Sequence, residues 1–546
     1  MSVLWSSPLG PMGLLVGGGA LLLAIQRHLS PRGRQWLPLA LTLAAMAAWL
    51  IMRWQPAGVG RWWLWQAPLG LETALGLQWD GWSWLAGWLA FMGAAAALML
   101  PAWRPRPGFT PPRLWTPFLL AASLLVMTSA TWTTLLTGWA LLLFLTGILA
   151  GTPAEAAPRA WTFLLSAGLS LLLTPLFNGL GTLDVVLTTS SLNLQAQLLL
   201  SMAVVIAAGV YPFHVWLVAR SPRARGPQLL LHLLPALAAL HLLSRFQVPL
   251  LSSFSWIALG IAGLLGSALA AWAAADDDRA WVYVAINRAT WVMLALSLSR
   301  ETGAYRMLFP LAALGIGLTV WGLIPRLEKR WLRWLALFFL MGFPFTPGFL
   351  LNLDLSQLAA SVLGFPGWIL VLLAQTLTVA AILRPGPASH RSQGRWNVKG
   401  KEGEVKDFLP GWMAPWMLGL VAAFGLWWGI SPAALTTTAG LAPHGVFASA
   451  WAQIRAAGLL TGWMTLLLPL LLGWLLARWR DRLFAGQDVW LDRAASIADL
   501  GWLVQLFRAG CHYAALAFGF GADILDGAGQ FGWVLLVLLI LWLFFR

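Results

Sequence analysis

Long apolar stretches recur along nearly the whole chain and constrain its fold more than any other feature. A helix needs about 20 apolar residues to cross the roughly 30 Å hydrocarbon core of a bilayer. Of the 546 residues, 60% are hydrophobic and only 10% are charged, whereas soluble proteins carry about 25% charged residues. The sequence therefore predicts an all-α polytopic membrane protein with about fourteen to sixteen transmembrane helices. The candidate spans are residues 9–26, 36–52, 81–103, 115–130, 132–150, 160–177, 197–211, 226–245, 250–274, 280–298, 306–325, 334–351, 364–384, 411–430, 456–478 and 531–546.

The charged residues lie mostly in the short connections between these stretches. The formal net charge is +15, but Arg and Lys in short connections are typical of membrane topology and do not indicate nucleic-acid binding. The single cysteine, Cys511, excludes an internal disulfide and a thiolate metal cluster. We find no nucleotide-binding loop, metal-ligand spacing or nucleophile–base pair, so no catalytic residue and no metal site are predicted.

Two polar segments interrupt the C-terminal part of the chain. Residues 385–409 are rich in Gly and Lys and poor in large apolar side chains, which favours a flexible loop. Residues 479–512 mix charged and apolar residues at helical spacing. They predict an amphipathic lateral helix on the membrane surface, and a tilted continuation of the preceding span is the alternative.

One stretch places a proline and several histidines against apolar runs. Pro212 lacks an amide donor and should break its helix, and His214 follows closely. His232 and His241 lie in the next span, about 13 Å apart along a helix that rises 1.5 Å per residue. Because histidine exchanges protons near neutral pH, these residues could form stations of a water-linked proton path. The alternative is that each histidine is a satisfied interhelical hydrogen-bond partner.

Two further stretches place polar groups or breaks within apolar runs. Arg288 lies about two turns inside the span that follows an acidic cluster. An arginine at this depth indicates a functional site, unless it reaches the surface by snorkelling. Pro344 and Pro347, flanked by glycines, interrupt the run "LFFLMGFPFTPGFLLNLDL" and predict a second discontinuous helix. Paired broken helices point to an ion or substrate pathway at mid-depth.

Together and in this order, these stretches resemble the antiporter-like subunits of respiratory complex I, a family that includes Mrp-type antiporters and membrane-bound hydrogenases. "YPFHVWL" followed by a basic loop and "LLLHLL" is similar to the family's seventh and eighth helices. "DDDRAWVYVAINRATWVMLAL" is similar to its "DxKRLLAYSSISxxGYxLLG" region, and "GFPFTPGFLLN" to its broken twelfth helix. "LQWDGWSWLAGWLAF" resembles an early "xxDGLSxxF" element, and "ILDGAGQFGWVLLVLLILW" the tail of longer members.

The resemblance implies two inverted five-helix repeats, each with a broken helix, near Pro212 and Pro344. The implied division is residues 1–114 for N-terminal helices, 115–245 for the first repeat, 246–384 for the second, 385–409 for the polar loop and 410–546 for the C-terminal helices. It also implies a line of Lys, Glu and His residues along the middle of the membrane that carries protons or exchanges sodium.

This sequence departs from that line of charges. The family's fifth-helix Glu falls at Ala140, its seventh-helix Lys near Ala207 and its eighth-helix Lys near Leu237. The Lys of the "DxKR" element falls at Asp278, and the twelfth-helix Lys at Asn352. Ala and Leu carry no charge and Asn does not titrate, so paired Lys and Glu groups cannot alternate their charges here. The polar residues left for a path are His214, His232, His241, Arg288 and Asn352.

The resemblance therefore implies a membrane-arm subunit of a complex I-like or hydrogenase-like redox assembly, with a degenerate proton path and a structural or modified role. The alternatives are an active proton or cation translocator that uses the residual histidines, and a stand-alone transporter of the same fold. The implied partners are other membrane subunits and the lipid bilayer, without nucleic acid. We expect no cofactor in this chain, while quinone, flavin and iron–sulfur clusters belong to partner subunits. The expected location is the bacterial cytoplasmic membrane or a thylakoid-type internal membrane.

Overall fold

The computed structural model describes most of the chain, and all structural statements below refer to that part. The described ranges are residues 7–66, 72–100, 112–150, 157–179, 187, 191–218, 225–246, 248–274, 277–299, 304–384, 410–441, 449–456 and 458–483, with a few single residues beyond. The predicted polar loop 385–409, the span 531–546 and nearly all of the predicted lateral helix 479–512 lie outside the described residues.

The described chain is helical apart from one hairpin. Eleven helices are long and apolar enough to cross a membrane, and three shorter apolar helices (α1, α4 and α7 below) accompany them. The predicted all-α polytopic membrane fold is therefore confirmed. The helices are α1 Leu9–Ile25, α2 Pro31–Ile51, α3 Gly81–Met99, α4 Pro112–Met127, α5 Trp132–Ala150, α6 Ala157–Phe177, α7 Leu194–Ala207, α8 Arg225–Leu243, α9 Phe254–Ala273, α10 Asp277–Leu298, α11 Ala304–Leu323, α12 Arg330–Met341, α13 Pro347–Leu383, α14 Met413–Ile430, α15 Pro432–Thr438, α16 Ala450–Ala456 and α17 Leu459–Leu483.

Helices α3, α8, α10 and α11 form the centre of the molecule. Every residue in the most apolar windows of α3, α8 and α10 is buried, as is 94% of the window in α11. By contrast, only 33% of the window in α6 and 28% of that in α17 is buried. The apolar side chains that α6 and α17 leave exposed suit contact with lipid or another membrane subunit. Polar residues on the four central helices are thus held inside protein.

A β-hairpin separates α2 from α3 and was not predicted from the sequence. Strand β1, Gly58–Gln66, pairs antiparallel with β2, Glu72–Trp79, and Gly58 lies opposite Trp79. Helix α3 follows β2 directly because Asp80 forms a capping box with Ser83. The Asp80 carboxylate accepts from the Ser83 amide at 2.7 Å, and the Asp80 amide donates to Ser83 Oγ at 3.1 Å.

Both predicted interruptions of transmembrane helices are present. Helix α7 ends at Ala207, and the chain re-enters helical geometry only in the 3₁₀ turn Phe213–Trp216 that follows Pro212. Helix α12 ends at Met341, and Gly342 adopts a left-handed conformation with φ of 73°. Non-helical residues 342–346, which include Pro344, separate α12 from α13.

Pro347 does not lie in the break but begins the helix that follows it. It occupies the first turn of α13, where a missing amide donor costs nothing, and Thr346 caps the helix by accepting from the Phe349 amide at 3.3 Å. Helix α13 then runs for 37 residues with a kink at Gly364. The predicted spans 334–351 and 364–384 therefore correspond to a broken pair, α12 with the start of α13, and to the second half of α13. The division into two inverted repeats at 115–245 and 246–384 stays a prediction.

Candidate functional site

Helix α8 carries two of the candidate histidines, and each is enclosed by a separate aromatic residue. His232 is 4% exposed and meets the ring of Trp321 edge-on, with ring centroids 5.8 Å apart. His241, in the last turn, is fully buried and stacks on Trp82 at 5.5 Å. Neither ring nitrogen of His241 has a hydrogen-bond partner among the described residues.

His214 lies on the 3₁₀ turn at the first helix interruption. Its ring stacks on Tyr211, with centroids 4.7 Å apart, and meets Tyr283 of α10 edge-on at 5.5 Å. The side chain is fully buried, and neither ring nitrogen makes a hydrogen bond of good geometry within the described part of the chain. His214, His232 and His241 therefore sit in three separate aromatic pockets, and no ring contact joins them among the residues described.

The positions that the sequence resemblance aligns with charged residues differ in their surroundings. Ala207 and Leu237 are buried within the main apolar core. Ala140 instead lies on the exposed face of α5, next to the buried Trp139. Apolar packing at Ala207 and Leu237 gives a transferred proton no acceptor at either position.

Asp278, an acid at a position where the resemblance implies a Lys, forms an ion pair with Arg225. Arg225, the first residue of α8, donates to Asp278 Oδ1 at 3.0 Å. The Arg225 guanidinium also lies over the rings of Trp281 and Trp321, at 5.8 and 5.3 Å from their centroids, which adds cation–π attraction. Asp278, which the sequence resemblance aligns with a Lys, thus joins the starts of α8 and α10.

Arg288 and Asn352 are brought together at the second helix interruption. Both line a cavity of about 20 Å³ beside the break between α12 and α13, together with Gln375 of α13. Arg288 is 8% exposed and donates to the carbonyl oxygen of Leu340, in the last turn of α12. The Arg288 side chain is therefore held inside the protein and does not snorkel to the membrane surface. These two candidates share one site, and the three histidines do not.

A buried asparagine that sequence reasoning missed lies one residue before Arg288. Asn287 Nδ2 donates to Ser267 Oγ at 3.0 Å and to the Leu264 carbonyl at 3.2 Å. Its Oδ1 accepts from Trp291 Nε1 at 2.9 Å and from Thr378 Oγ1 at 3.2 Å. Asn287 thereby joins α9, α10 and α13 through a fully bonded amide. The sequence gives no signal for this role, because three of the four partners lie at least twenty residues away.

A second polar cluster that sequence reasoning missed surrounds Asp80 and Arg245. The side-chain amide of Gln78 bridges the two: its nitrogen donates to Asp80 Oδ2 at 3.1 Å, and its oxygen accepts from Arg245 Nη1 at 3.3 Å. Arg245 also donates to the carbonyls of Ser129 and Met127, both at 2.6 Å. The cluster joins the start of α3 to the ends of α4 and α8.

The charges in this cluster lie outside the membrane-spanning segments and perturb each other. Burial alone would raise the pKa of Asp80, but the Arg245 charge and the hydrogen bonds from Ser83 outweigh it and hold this pKa below its usual value. Burial lowers the pKa of Arg245, and the Asp80 carboxylate opposes that shift. The cluster borders a cavity of about 350 Å³, which is also lined by Arg53 and several tryptophans. A motif signal existed for Asp80, which begins the quoted "DGWSW" run.

Metal-ligating side chains are not gathered within the described residues, where no group of three or more His, Cys, Asp or Glu comes together. The polar sites described above contain arginines, amides, and the carboxylates of Asp80 and Asp278.

Comparisons with known proteins connect this architecture to solved membrane complexes. No protein-family model matches the sequence, and no protein with a curated description matches it. A chain of the Mrp complex from Dietzia sp. DQ12-45-1b superposes with a TM-score of 0.72 at 16% identity, covering 98% of this chain and 62% of that one. A chain of respiratory complex I from Thermus thermophilus, with bound aureothin, gives a TM-score of 0.55 at 19% identity, covering 77% of this chain and 97% of that one.

These likenesses establish a shared fold. The chain spans 62% of the length of the Mrp-complex chain it matches. The overall fold of this chain is thus found in a chain of an Mrp complex and in a chain of respiratory complex I.

Proposed function

We propose that this chain is an antiporter-like membrane subunit of a complex I-like or related ion-translocating assembly, with a degenerate proton path. Support comes from the shared fold and from the joint order of motifs around Pro212, Asp278 and Pro344. Flavin, iron–sulfur and quinone chemistry in such an assembly belongs to partner subunits. The membrane in which it works is the bacterial cytoplasmic membrane or a related internal membrane.

The burial of Ala207 and Leu237 carries the degenerate-path proposal. Both side chains lie in apolar packing at positions where the family places ionisable groups. A proton transferred along α8 would need groups that titrate or water between them. His232 and His241 are about 13 Å apart along the axis, and the buried apolar Leu237 lies on the same helix between them. The subunit accordingly has a structural role or takes part in ion translocation by a modified route.

Proteoliposomes test the proposal directly. The purified chain, reconstituted with an imposed pH gradient, should dissipate it no faster than protein-free vesicles. Addition of a proton ionophore provides the control that the gradient was present. Dissipation well above the protein-free rate would overturn the degenerate path.

Membership of an assembly is tested separately. An affinity-tagged chain should copurify with native membrane partners, which mass spectrometry identifies. Recovery of the chain alone would contradict membership.

A second candidate function is proton translocation through the residual histidines. The observation that favours it is that His214 and His241 are buried with ring nitrogens that lack well-formed hydrogen bonds among the described residues. His241→Phe keeps an aromatic ring on Trp82 but removes the nitrogens. If the relay operates, this variant should assemble normally and slow proton uptake by native membrane vesicles. Unchanged uptake with normal assembly would remove the relay through this residue.

A further inference from the structure

The strongest unexplained feature is the positive charge of Arg288. Its one hydrogen bond within the described chain goes to the Leu340 carbonyl, and its Nε atom is buried without a partner. Arginine stays protonated inside proteins. The described residues supply no carboxylate partner for it, whereas Arg225 is paired with Asp278. A buried unpaired charge is strongly destabilising, so Arg288 requires compensation.

The end of α12 supplies only part of that compensation. Leu340 lies in the last turn of α12, where carbonyl oxygens lack intrahelical donors and carry the negative end of the helix dipole. This end is equivalent to about half an elementary charge. A full positive charge on Arg288 therefore remains incompletely balanced.

Two other side chains that line the same cavity carry unsatisfied polar atoms. Gln375, which is 5% exposed, has a buried Nε2 donor without a partner among the residues described. The buried Oδ1 of Asn352 likewise lacks a partner there, and exchanging the oxygen and nitrogen of its amide would present a donor instead. All three residues line the cavity of about 20 Å³ at the helix interruption. That volume suits a single water molecule or an ion of similar size.

We propose that this cavity binds one small monovalent anion, with chloride as the representative ligand, held by Arg288 and Gln375 beside the break between α12 and α13. The guanidinium supplies charge and Nε–H, and the two amides supply further donors. A bound anion would neutralise Arg288 and hold the end of α12 against α10 and α13. The site is a property of this chain alone and does not depend on the proposed assembly.

Equilibrium binding of radioactive chloride to the full-length protein in detergent tests this site. We expect saturable binding of one chloride per chain. Bromide should compete, and sulfate should not, because sulfate is too large for the cavity. Sulfate insensitivity also separates this site from ions gathered at the surface of a chain with net charge +15.

Matched variants locate the site. Arg288→Met should abolish saturable binding, Arg288→Lys should retain it, and Gln375→Leu should weaken it by about tenfold, as expected for loss of one hydrogen bond to a charged group. Arg225→Met, which removes a cation already paired with Asp278, should leave binding unchanged. If Arg288→Met fails to fold, Gln375→Leu decides the question. Absence of saturable binding to the wild-type protein, or binding unaffected by Gln375→Leu, would overturn the proposal and leave water as the occupant.

Discussion

At the scale of single residues, buried polar groups in this molecule differ in whether the fold provides their partners. Arg225 has a carboxylate and two aromatic faces, and Asn287 uses both ends of its amide. Arg288 has a single carbonyl partner among the described residues. Since satisfied groups stabilise a structure and unsatisfied groups cost free energy, a ligand or a changed charge at Arg288 would have a large effect.

Prediction of these sites from sequence succeeds only in part, for a physical reason. Arg288 is recognisable because a charge interrupts an apolar run, and Asn352 because the resemblance aligns it with a Lys of the family. The cluster of Asp80 and Arg245 is not, since the two residues are more than 160 positions apart and meet only when the ends of α3 and α8 do. Periodicity carries no information about such pairings. The sharing of one cavity by Arg288 and Asn352 likewise became visible only in the folded chain.

The Asp80 carboxylate gives a pH-dependent prediction. Because its pKa is lowered in the folded protein, its charge contributes stability that is complete above the unfolded pKa of about 3.9 and is lost as pH falls through the folded pKa. Asp80→Asn keeps a capping oxygen but removes the charge. We expect it to lower the free energy of unfolding at pH 7 by about 1–2 kcal/mol. The difference from wild type should shrink below about pH 4.

Thermal unfolding of the purified protein at several pH values measures this effect. Asp80→Ala serves as the companion variant, because it removes the cap as well and should cost about 1 kcal/mol more at pH 7. A deficit for Asp80→Asn that stays constant down to the lowest accessible pH would show that charge is not the cause.

Gly342 gives a prediction about backbone conformation. Its φ is 73°, and an added Cβ would lie 2.5 Å from the Asn352 amide nitrogen and 3.1 Å from the backbone of Gly348. Gly342→Ala should therefore destabilise the protein by about 1–3 kcal/mol. Gly179→Ala is a matched control, since Gly179 has a φ of 69° with nothing within 4 Å of the added Cβ. If Gly179→Ala lowers the thermal midpoint as much as Gly342→Ala does, the packing against Asn352 is irrelevant.

At the scale of secondary-structure elements, hydropathy predicts which segments cross the membrane as helices, and proline predicts where two of these helices break. The stretches around Pro212 and Pro344 are non-helical because the ring removes a donor and crowds the preceding turn. Hydropathy does not predict the hairpin of β1 and β2, which lies between spans and has no long apolar run. It also does not show that α13 continues through the kink at Gly364, since the apolar composition is similar on both sides.

The first interruption packs tightly against helix α9, and this gives a prediction at the element scale. A Cβ added to Gly263 would lie 2.6 Å from the carbonyl oxygen of Tyr211, which is backbone and has little room to move. Gly263→Ala should therefore push α9 away from the interruption and cost about 1–3 kcal/mol. Gly419→Ala in α14 is the control, because nothing lies within 4 Å of its added Cβ and alanine favours a helix. Equal thermal midpoints for the two variants would contradict the close approach.

At the scale of the whole molecule, contacts between helix ends assign each end to one of two faces. Arg225 with Asp278 joins the starts of α8 and α10, and Arg113 donates to the Leu100 carbonyl, which joins the start of α4 to the end of α3. The opposite face holds Arg245 with the end of α4 and Arg53, which donates to the Thr437 carbonyl at 2.7 Å. We call these the α8-start face and the α8-end face.

Basic residues are distributed unequally between the two faces. The end of α11 belongs to the α8-start face, because Trp321 donates to the Trp281 carbonyl at 3.0 Å. The end of α13 belongs there too, since Arg384 lies 3.9 Å from Asp277. The described basic residues at helix ends on the α8-start face are Arg113, Arg225, Arg279, Arg326, Lys329, Arg330, Arg333 and Arg384. On the α8-end face the contacts above place Arg53 and Arg245, and the start of α11 places Arg306. Since short cytoplasmic connections are enriched in Lys and Arg, the α8-start face should be cytoplasmic.

Cysteine labelling tests this orientation, because the chain has one native cysteine to remove. On a Cys511→Ser background, Gln55→Cys places a thiol at an exposed position next to Arg53, and Lys329→Cys places one at an exposed position on the opposite face. In intact cells a membrane-impermeant maleimide should label Gln55→Cys at once and Lys329→Cys only after permeabilisation. The reverse pattern would contradict the assignment. The predicted pattern would put the Asp80–Arg245 cluster and its cavity of about 350 Å³ on the outer side, where Asp80 meets the external pH and the acid sensitivity predicted for it would be set from outside the cell.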